Sequence, residues 1–219
     1  MCPGCGVEGA ISVILPEEAP EAAAISTLAD SLEELPVTAT GIRAIDSLIR
    51  GFPTGVTALI HGNRGAGKST LSLQIAAGLA RGLRGYALVA APEMSRKILE
   101  FTARHVAERS RLVPVLNHLS WEEEARRVRA RVVVLDSITV FPSPLETVDQ
   151  AIQWARAVDG VAILLAQHNG EGRPAGGAGA SYNPDAVFEV HLAPDGARWF
   201  SVDGKCRWAP LGRVRLEVS

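Results

Sequence analysis

Short apolar or β-branched runs recur along the chain at Val56–Ile60, Tyr86–Ala91, Val113–Leu116, Arg131–Leu135 and Val161–Ala166. The longer segments between them carry helical periodicity. A run apolar at successive positions, such as Val132 to Leu135, suits a strand buried on both faces. Strands of that kind alternating with helices predict a mostly parallel sheet flanked by helices, so the expected fold class is α/β. After Ala180 the pattern changes. Asp185–Leu192, Arg198–Val202 and Val214–Val218 read as further strands, and the pairs Asp195-Gly196 and Asp203-Gly204 between them predict tight turns. A C-terminal antiparallel meander is therefore expected. No internal repeat with a period of about 20 to 50 residues is found, which argues against a solenoid or propeller.

Composition adds limits. From Pro16 to Pro36 the chain is rich in Ala and Glu, holds three prolines and lacks Lys and Arg, the make-up of a solvated connector. It divides residues 1–36, a Cys-x-x-Cys segment and linker, from one main domain over 37–219. The net charge of -2 removes any global basic field, so contact with nucleic acid would have to be local. The apolar runs fall far short of the roughly 20 residues that cross a bilayer, and no basic stretch leads into an apolar run at the N-terminus. Neither a membrane span nor a secretory signal is expected, and a cytoplasmic location follows. Of the three cysteines, Cys2 and Cys5 form a C-x-x-C pair, which points to metal or redox chemistry ahead of a disulfide framework. A structural zinc site takes four ligands. Two chains sharing one Zn²⁺, completion by Cys206 and a His, or a metal-free remnant are the alternatives; the remnant is expected, because two thiolates half-fill the shell.

The sharpest chemical signal is Gly62-Asn63-Arg64-Gly65-Ala66-Gly67-Lys68-Ser69, which satisfies G-x-x-x-x-G-K-[ST] between a predicted strand and the helical run Thr70 to Ala80. Glycines let successive N–H groups face one point, and a helix N-terminus adds its positive end, a cradle for the phosphates of ATP. Lys68 is expected at the β- and γ-phosphates, Ser69 in the Mg²⁺ shell and Thr70 at a neighbouring contact. Asp136 directly follows Val132 to Leu135 and is the expected second Mg²⁺ group, on a strand next to the P-loop strand; a strand-terminal cap is the alternative. Glu93 lies just past Tyr86–Ala91 and is the candidate that activates water, against a plain acidic residue ahead of the helical run Met94 to Val106. Gln167 and His168 end the run Val161–Ala166, where a polar pair is placed to sense the γ-phosphate; a surface or satisfied core histidine is the other reading. Arg104, Arg109 and Arg111, and then Arg126, Arg127, Arg129 and Arg131, make local basic stripes near His118 and Trp121. Glu122 to Glu124 precede the second stripe and predict i,i+3 or i,i+4 pairing on a solvated face.

The P-loop, Glu93-Met94-Ser95 and Leu135-Asp136-Ser137 together resemble the RecA/DnaB superfamily of DNA-associated ATPases, and more narrowly the RadA, or Sms, family of branch-migration ATPases. Cys2-Pro3-Gly4-Cys5-Gly6 resembles the second half of that family's zinc finger, and Thr40-Gly41-Ile42 with Ile45-Asp46 its lead-in to the ATPase core. Lys205-Cys206-Arg207-Trp208 is similar to its Lys-Asn-Arg-Phe-Gly signature, with Cys206, Trp208 and Ala209 in place of Asn, Phe and Gly. The resemblance spans nearly all of the chain and ends just after this motif, so a Lon-protease-like C-terminal domain is not expected. It implies a RecA-like P-loop NTPase core using ATP and Mg²⁺ in a homo-oligomeric ring or filament. There Lys205 and Arg207 would complete a neighbour's site; two solvated hairpin charges are the alternative. It also implies single-stranded or branched DNA as partner in recombination or repair. The glycine-rich stretch Asn169 to Ala180 stands where RecA-like proteins contact single-stranded DNA, yet Arg173 is its one cation and the family's Lys near Gly170 is absent. A nucleotide-dependent assembly module with slow hydrolysis and no direct DNA role is the second functional reading, and a helicase-type motor the third.

Overall fold

A computed structural model gives the arrangement of the chain and describes residues 35–115, 118–168, 175 and 183–217. Cys2, Cys5 and nearly all of the stretch Asn169 to Ala180 lie outside the described residues. The elements run α1 (Arg43–Ile49), β1 (Val56–Gly62), α2 (Lys68–Gly82), β2 (Tyr86–Ala90), α3 (Arg96–Thr102), β3 (Leu112–Pro114), α4 (Trp121–Arg127) and β4 (Ala130–Leu135). They continue α5 (Pro144–Ala157), β5 (Val161–Leu165), β6 (Ala186–Leu192), β7 (Arg198–Cys206) and β8 (Gly212–Leu216). The strands form an eight-stranded sheet in the order β3-β2-β4-β5-β1-β6-β7-β8. From β3 to β6 every pairing is parallel, and the β6–β7 and β7–β8 pairings are antiparallel. The expected α/β class holds.

Side chains alternate across a strand, and each parallel strand feeds two cores. Ala58, Ile60, Val132, Val134, Ile163 and Leu165 pack under α1 and α2, while Leu59, Val133, Leu135, Ala162 and Leu164 pack against α4 and α5. That double burial is why these runs are apolar at successive positions. Ahead of α1, the Asp46 carboxylate accepts hydrogen bonds from the Thr40 N–H and hydroxyl, both at 2.8 Å, and from the Gly41 N–H at 3.0 Å. The Thr40-Gly41-Ile42 turn is thereby clamped to the helix that follows.

Several expectations need correction. The strand that ends in Asp136 is not next to the P-loop strand, because β5 lies between β4 and β1. Parallel strands are joined by crossovers, so chain order does not dictate which strands become neighbours. The expected C-terminal antiparallel strands are present as the β6–β7 and β7–β8 pairings, and β6 also pairs in parallel with β1, so they continue the main sheet. Asp203-Gly204 is not a turn between strands but lies within β7, where the interval Ala186 to Phe188 of β6 faces Cys206 to Val202. Gly204 has φ 76° there. An Asp-Gly pair signals positive φ, which a register shift uses as readily as a hairpin turn. Asp195-Gly196 does turn, with the Gly196 N–H donating to Ala193 O at 2.9 Å. The helical run expected over Met94 to Val106 shortens to α3 and one 3-10 turn, begun by Ser95, whose hydroxyl accepts from the Ile98 N–H. No helix among the described residues is long and apolar enough to cross a membrane.

Candidate nucleotide site

β1 delivers the P-loop and α2 receives it. Gly62 has φ 144°, and a Cβ there would collide with the Val190 carbonyl oxygen of β6, so the loop leaves the sheet where only glycine fits. Gly67, at φ 95°, caps α2 without a side chain. Its carbonyl accepts the Leu71 N–H at 2.9 Å. The N–H groups of the first turn are left for an outside acceptor, and the helix dipole favours an anion there. Lys68 Nζ donates to the carbonyl oxygens of Gly62 at 2.9 Å and Asn63 at 3.0 Å, which folds the amine back over the loop. Burial lowers its proton affinity, Asp136 opposes that, and Arg64 adds to it.

Around this helix end opens a cavity of about 330 Å³. The loop and α2 contribute Arg64, Gly65, Gly67, Lys68, Ser69 and Thr70 to its wall. Glu93 enters from the end of β2, Asp136 from the end of β4 and Gln167 from the end of β5. In a parallel sheet the carboxyl ends of the strands lie on one edge, and that alone gathers side chains so distant in sequence. Ala66 is fully buried behind the loop. Asp136 is 8% exposed. Its burial pushes the carboxyl above the ordinary carboxylate range; a hydrogen bond from the Ser69 hydroxyl pulls it down, nearby Glu93 pushes it up and Lys68 pulls it down. Met94, Thr102 and Ser137 also line the cavity; Met94 and Ser137 stand in the motifs that carry the family resemblance, but none of the three was given a role from sequence. Met94 and Ser137 adjoin predicted site residues, whereas Thr102 arrives only because α3 folds back over the loop and carried no local signal.

Gln167 and His168 part company. Gln167 faces the cavity, but His168 turns to Asn63, with Nδ1 2.8 Å from Oδ1. Its Nε2 lies 2.9 Å from Nδ1 of His61, a buried residue of β1 that sequence reasoning passed over.

No family model matches the chain. A Pseudomonas aeruginosa protein named DNA repair protein RadA is 30% identical over 185 residues, covering 77% of this chain and 40% of that protein. Its Haemophilus influenzae namesake is 34% identical over 124 residues, covering 54% and 27%. The chain is a RadA-like protein of the RecA superfamily. It spans less than half the length of these curated relatives. A KaiC-like protein, PH0186 of Pyrococcus horikoshii OT3, shares the fold with a TM-score of 0.68 over 84% of this chain and 96% of that one, at 18% identity.

The RadA-like signature at the C-terminus sits at the far end of the sheet. Gly62 pairs with Val190 at one end of β6, and Cys206 with Ala186 at the other, so Lys205 and Arg207 are not brought to their own P-loop. Arg207 Nε lies 3.0 Å from Asp185 Oδ1, and the other carboxylate oxygen accepts the Thr57 N–H at 3.0 Å. Burial lowers the proton affinity of Lys205, Arg207 lowers it further and Asp185 opposes both. Trp208 anchors the segment: its indole N–H donates to Gly51 O at 2.9 Å and its ring packs on Phe52 at 5.6 Å. Cys206 is free and half-buried, with burial raising its thiol. Among the described residues no group of three or more His, Cys, Asp or Glu is placed to hold a metal. On α4 the expected pairing is present, Arg126 to Glu122 at 3.2 Å and Arg127 to Glu124 at 2.6 Å. Trp121 is buried against Trp154 and His118 packs edge-on to Phe141, so both serve the core.

Proposed function

We propose that this RadA-like chain binds ATP with Mg²⁺ and hydrolyses it, with residues 37–219 as the ATPase domain behind an N-terminal Cys-x-x-Cys segment. The observation that carries the reading is the convergence of Lys68, Ser69, Glu93, Asp136 and Gln167 on one cavity at the N-terminus of α2. Among the described residues no carboxylate stands within ion-pair distance of Lys68, whose amine rests on two loop carbonyls and is free to turn to a phosphate. The Ser69 hydroxyl and Asp136 carboxylate, bonded to each other, are hard oxygen donors of the kind Mg²⁺ takes. Mg²⁺ held by them would neutralise charge developing on the terminal phosphates. Glu93, exposed on the cavity wall, accepts a proton from the attacking water, and Gln167 orients that water beside it. Asn63, Arg64, Gly65, Ala66, Gly67 and Thr70 shape and line the phosphate cradle.

The chain works as a cytoplasmic homo-oligomer in DNA repair or recombination, on single-stranded or branched DNA. The names of its relatives support the pathway. The distance of Lys205 and Arg207 from their own P-loop supports a role at a neighbour's site. Turnover measured with and without single-stranded DNA tests the reading, together with mixing of two inactive variants. Glu93→Gln and Arg207→Ala chains, each poor alone, should regain turnover when mixed if sites are composite; no regain removes the trans role. A second reading is favoured by the pairing of Arg126, Arg127 and Arg207 with carboxylates: a nucleotide-dependent assembly module without a direct DNA role. ATP-dependent assembly that survives Glu93→Gln with turnover unchanged would select it.

A further inference from the structure

Behind the phosphate cavity, side chains from β1, β7 and the end of β5 join the P-loop in one polar chain. Asp203, in the register shift of β7, places Oδ2 3.0 Å from Nε2 of His61. His61 Nδ1 meets His168 Nε2 at 2.9 Å, and His168 Nδ1 meets Asn63 Oδ1 at 2.8 Å. Glu189, the register partner of His61 on β6, puts Oε1 3.8 Å from His168 Nε2. His61 is 2% exposed, and Asp203 53%. A buried polar ring is costly unless its nitrogens are met; here Nδ1 is met by His168, while Nε2 faces the Asp203 carboxylate without a hydrogen bond.

Counting protons shows what the chain does. A carboxylate and an amide oxygen only accept, and a contact between two rings uses one proton. The two hydrogen bonds of the chain need two ring protons, the number two neutral imidazoles carry, and a third proton would sit on His61 Nε2 facing the Asp203 carboxylate. With three protons the histidine pair is a monocation facing Asp203 and Glu189. With two, either His61 Nε2 stands bare toward the Asp203 carboxylate, or the ring protons shift toward Asp203 and the Asn63 amide turns its NH₂ to His168. The protonation of the pair thus decides how the first side chain of the P-loop is held.

We propose that His61 and Asp203 are positioning residues of the nucleotide site. Through His168 they hold the Asn63 amide, and so link the state of the P-loop to the β7 segment that carries Lys205. This rests on the cavity being the ATP site. Burial lowers the proton affinity of His61; Asp203 raises it, His168 lowers it and Glu189 raises it. Losing the Asp203 charge must then move proton uptake by His61 to lower pH.

Asp203→Asn is the variant of choice, since its half-exposed side chain can change without opening the core. Ring nitrogens of His61 and His168 are followed by NMR across about pH 5 to 8, with and without MgADP, in wild type and variant. The wild-type His61 ring should titrate, and both rings should shift on MgADP binding. In Asp203→Asn the midpoint should move to lower pH, with kcat reduced about three- to tenfold and KM held within about twofold. Identical pH profiles in the two proteins, or MgADP binding that leaves both rings silent, overturns the proposal alone. Ring shifts in a wild type that binds MgADP but never turns over ATP keep the relay and remove the hydrolase reading. Failure to bind MgADP removes both.

Discussion

Asp136 and Asp185 are both buried carboxylates at strand ends, 8% and 6% exposed, yet they stand at opposite ends of the sheet and in opposite circumstances. Asp185 is fully met. Its carboxylate takes the Thr57 N–H and the Arg207 guanidinium, its own N–H donates to Thr57 O at 2.8 Å, and its carbonyl accepts the Arg207 N–H at 3.2 Å. Asp136 keeps one hydroxyl from Ser69, while Lys68 spends its amine on loop carbonyls and Glu93 adds like charge. Burial of a charge therefore does not by itself mark the working end of this molecule. On the proposed reading the unmet demand of that charge does, because a phosphate-bound cation would satisfy it when nucleotide binds.

The contrast can be broken or sharpened by substitution. Glu93→Gln removes the proposed proton acceptor and should lower kcat on the order of 10²- to 10⁴-fold with nucleotide affinity kept, as read by single-turnover kinetics beside a binding titration. A variant with wild-type kcat would take the catalytic role from this end. Lys68→Ala should cost on the order of 10²-fold or more in kcat/KM, since the loop loses the amine at the start of α2. At the satisfied end, Asp185→Ala strands the Thr57 N–H and frees Arg207, and urea unfolding should show a loss of about 2 to 3 kcal/mol. An unchanged midpoint would mean that the network contributes nothing.

Asp136→Asn should do the reverse, abolishing most turnover while stabilising the nucleotide-free chain by about 1 kcal/mol, the trade-off usual at active sites. The sign follows from linkage. Because the folded state raises the Asp136 carboxyl, its proton stabilises the fold at low pH, and that contribution is lost as pH rises through the raised midpoint. The variant should thus melt higher than wild type at neutral pH, and the two should converge below the ordinary carboxylate range. Equal melting temperatures at every pH would show Asp136 to be as well satisfied as Asp185.

Most residues that line the candidate cavity were legible without a structure. Gly62 to Ser69 needs only local backbone chemistry, and Asp136, Glu93 and Gln167 each follow an apolar run whose end lies on the carboxyl edge of a parallel sheet. Asp203-Gly204 misled because positive φ serves turns and register shifts alike. His61 left no trace, since its neighbours are 107 and 142 residues away and a single polar residue in an apolar strand predicts no partner.

The amino-acid sequence by itself determined the α/β alternation and the glycine-rich loop between β1 and α2, because periodicity and loop chemistry act over a few bonds. Only the tertiary structure decided that β5 separates β4 from β1, that Lys205 and Arg207 stand away from their own P-loop, and that His61 joins Asp203 to Asn63. Strand order, sheet end and side-chain meeting points are set by how crossovers pack their apolar faces, and no local stretch of sequence carries that information.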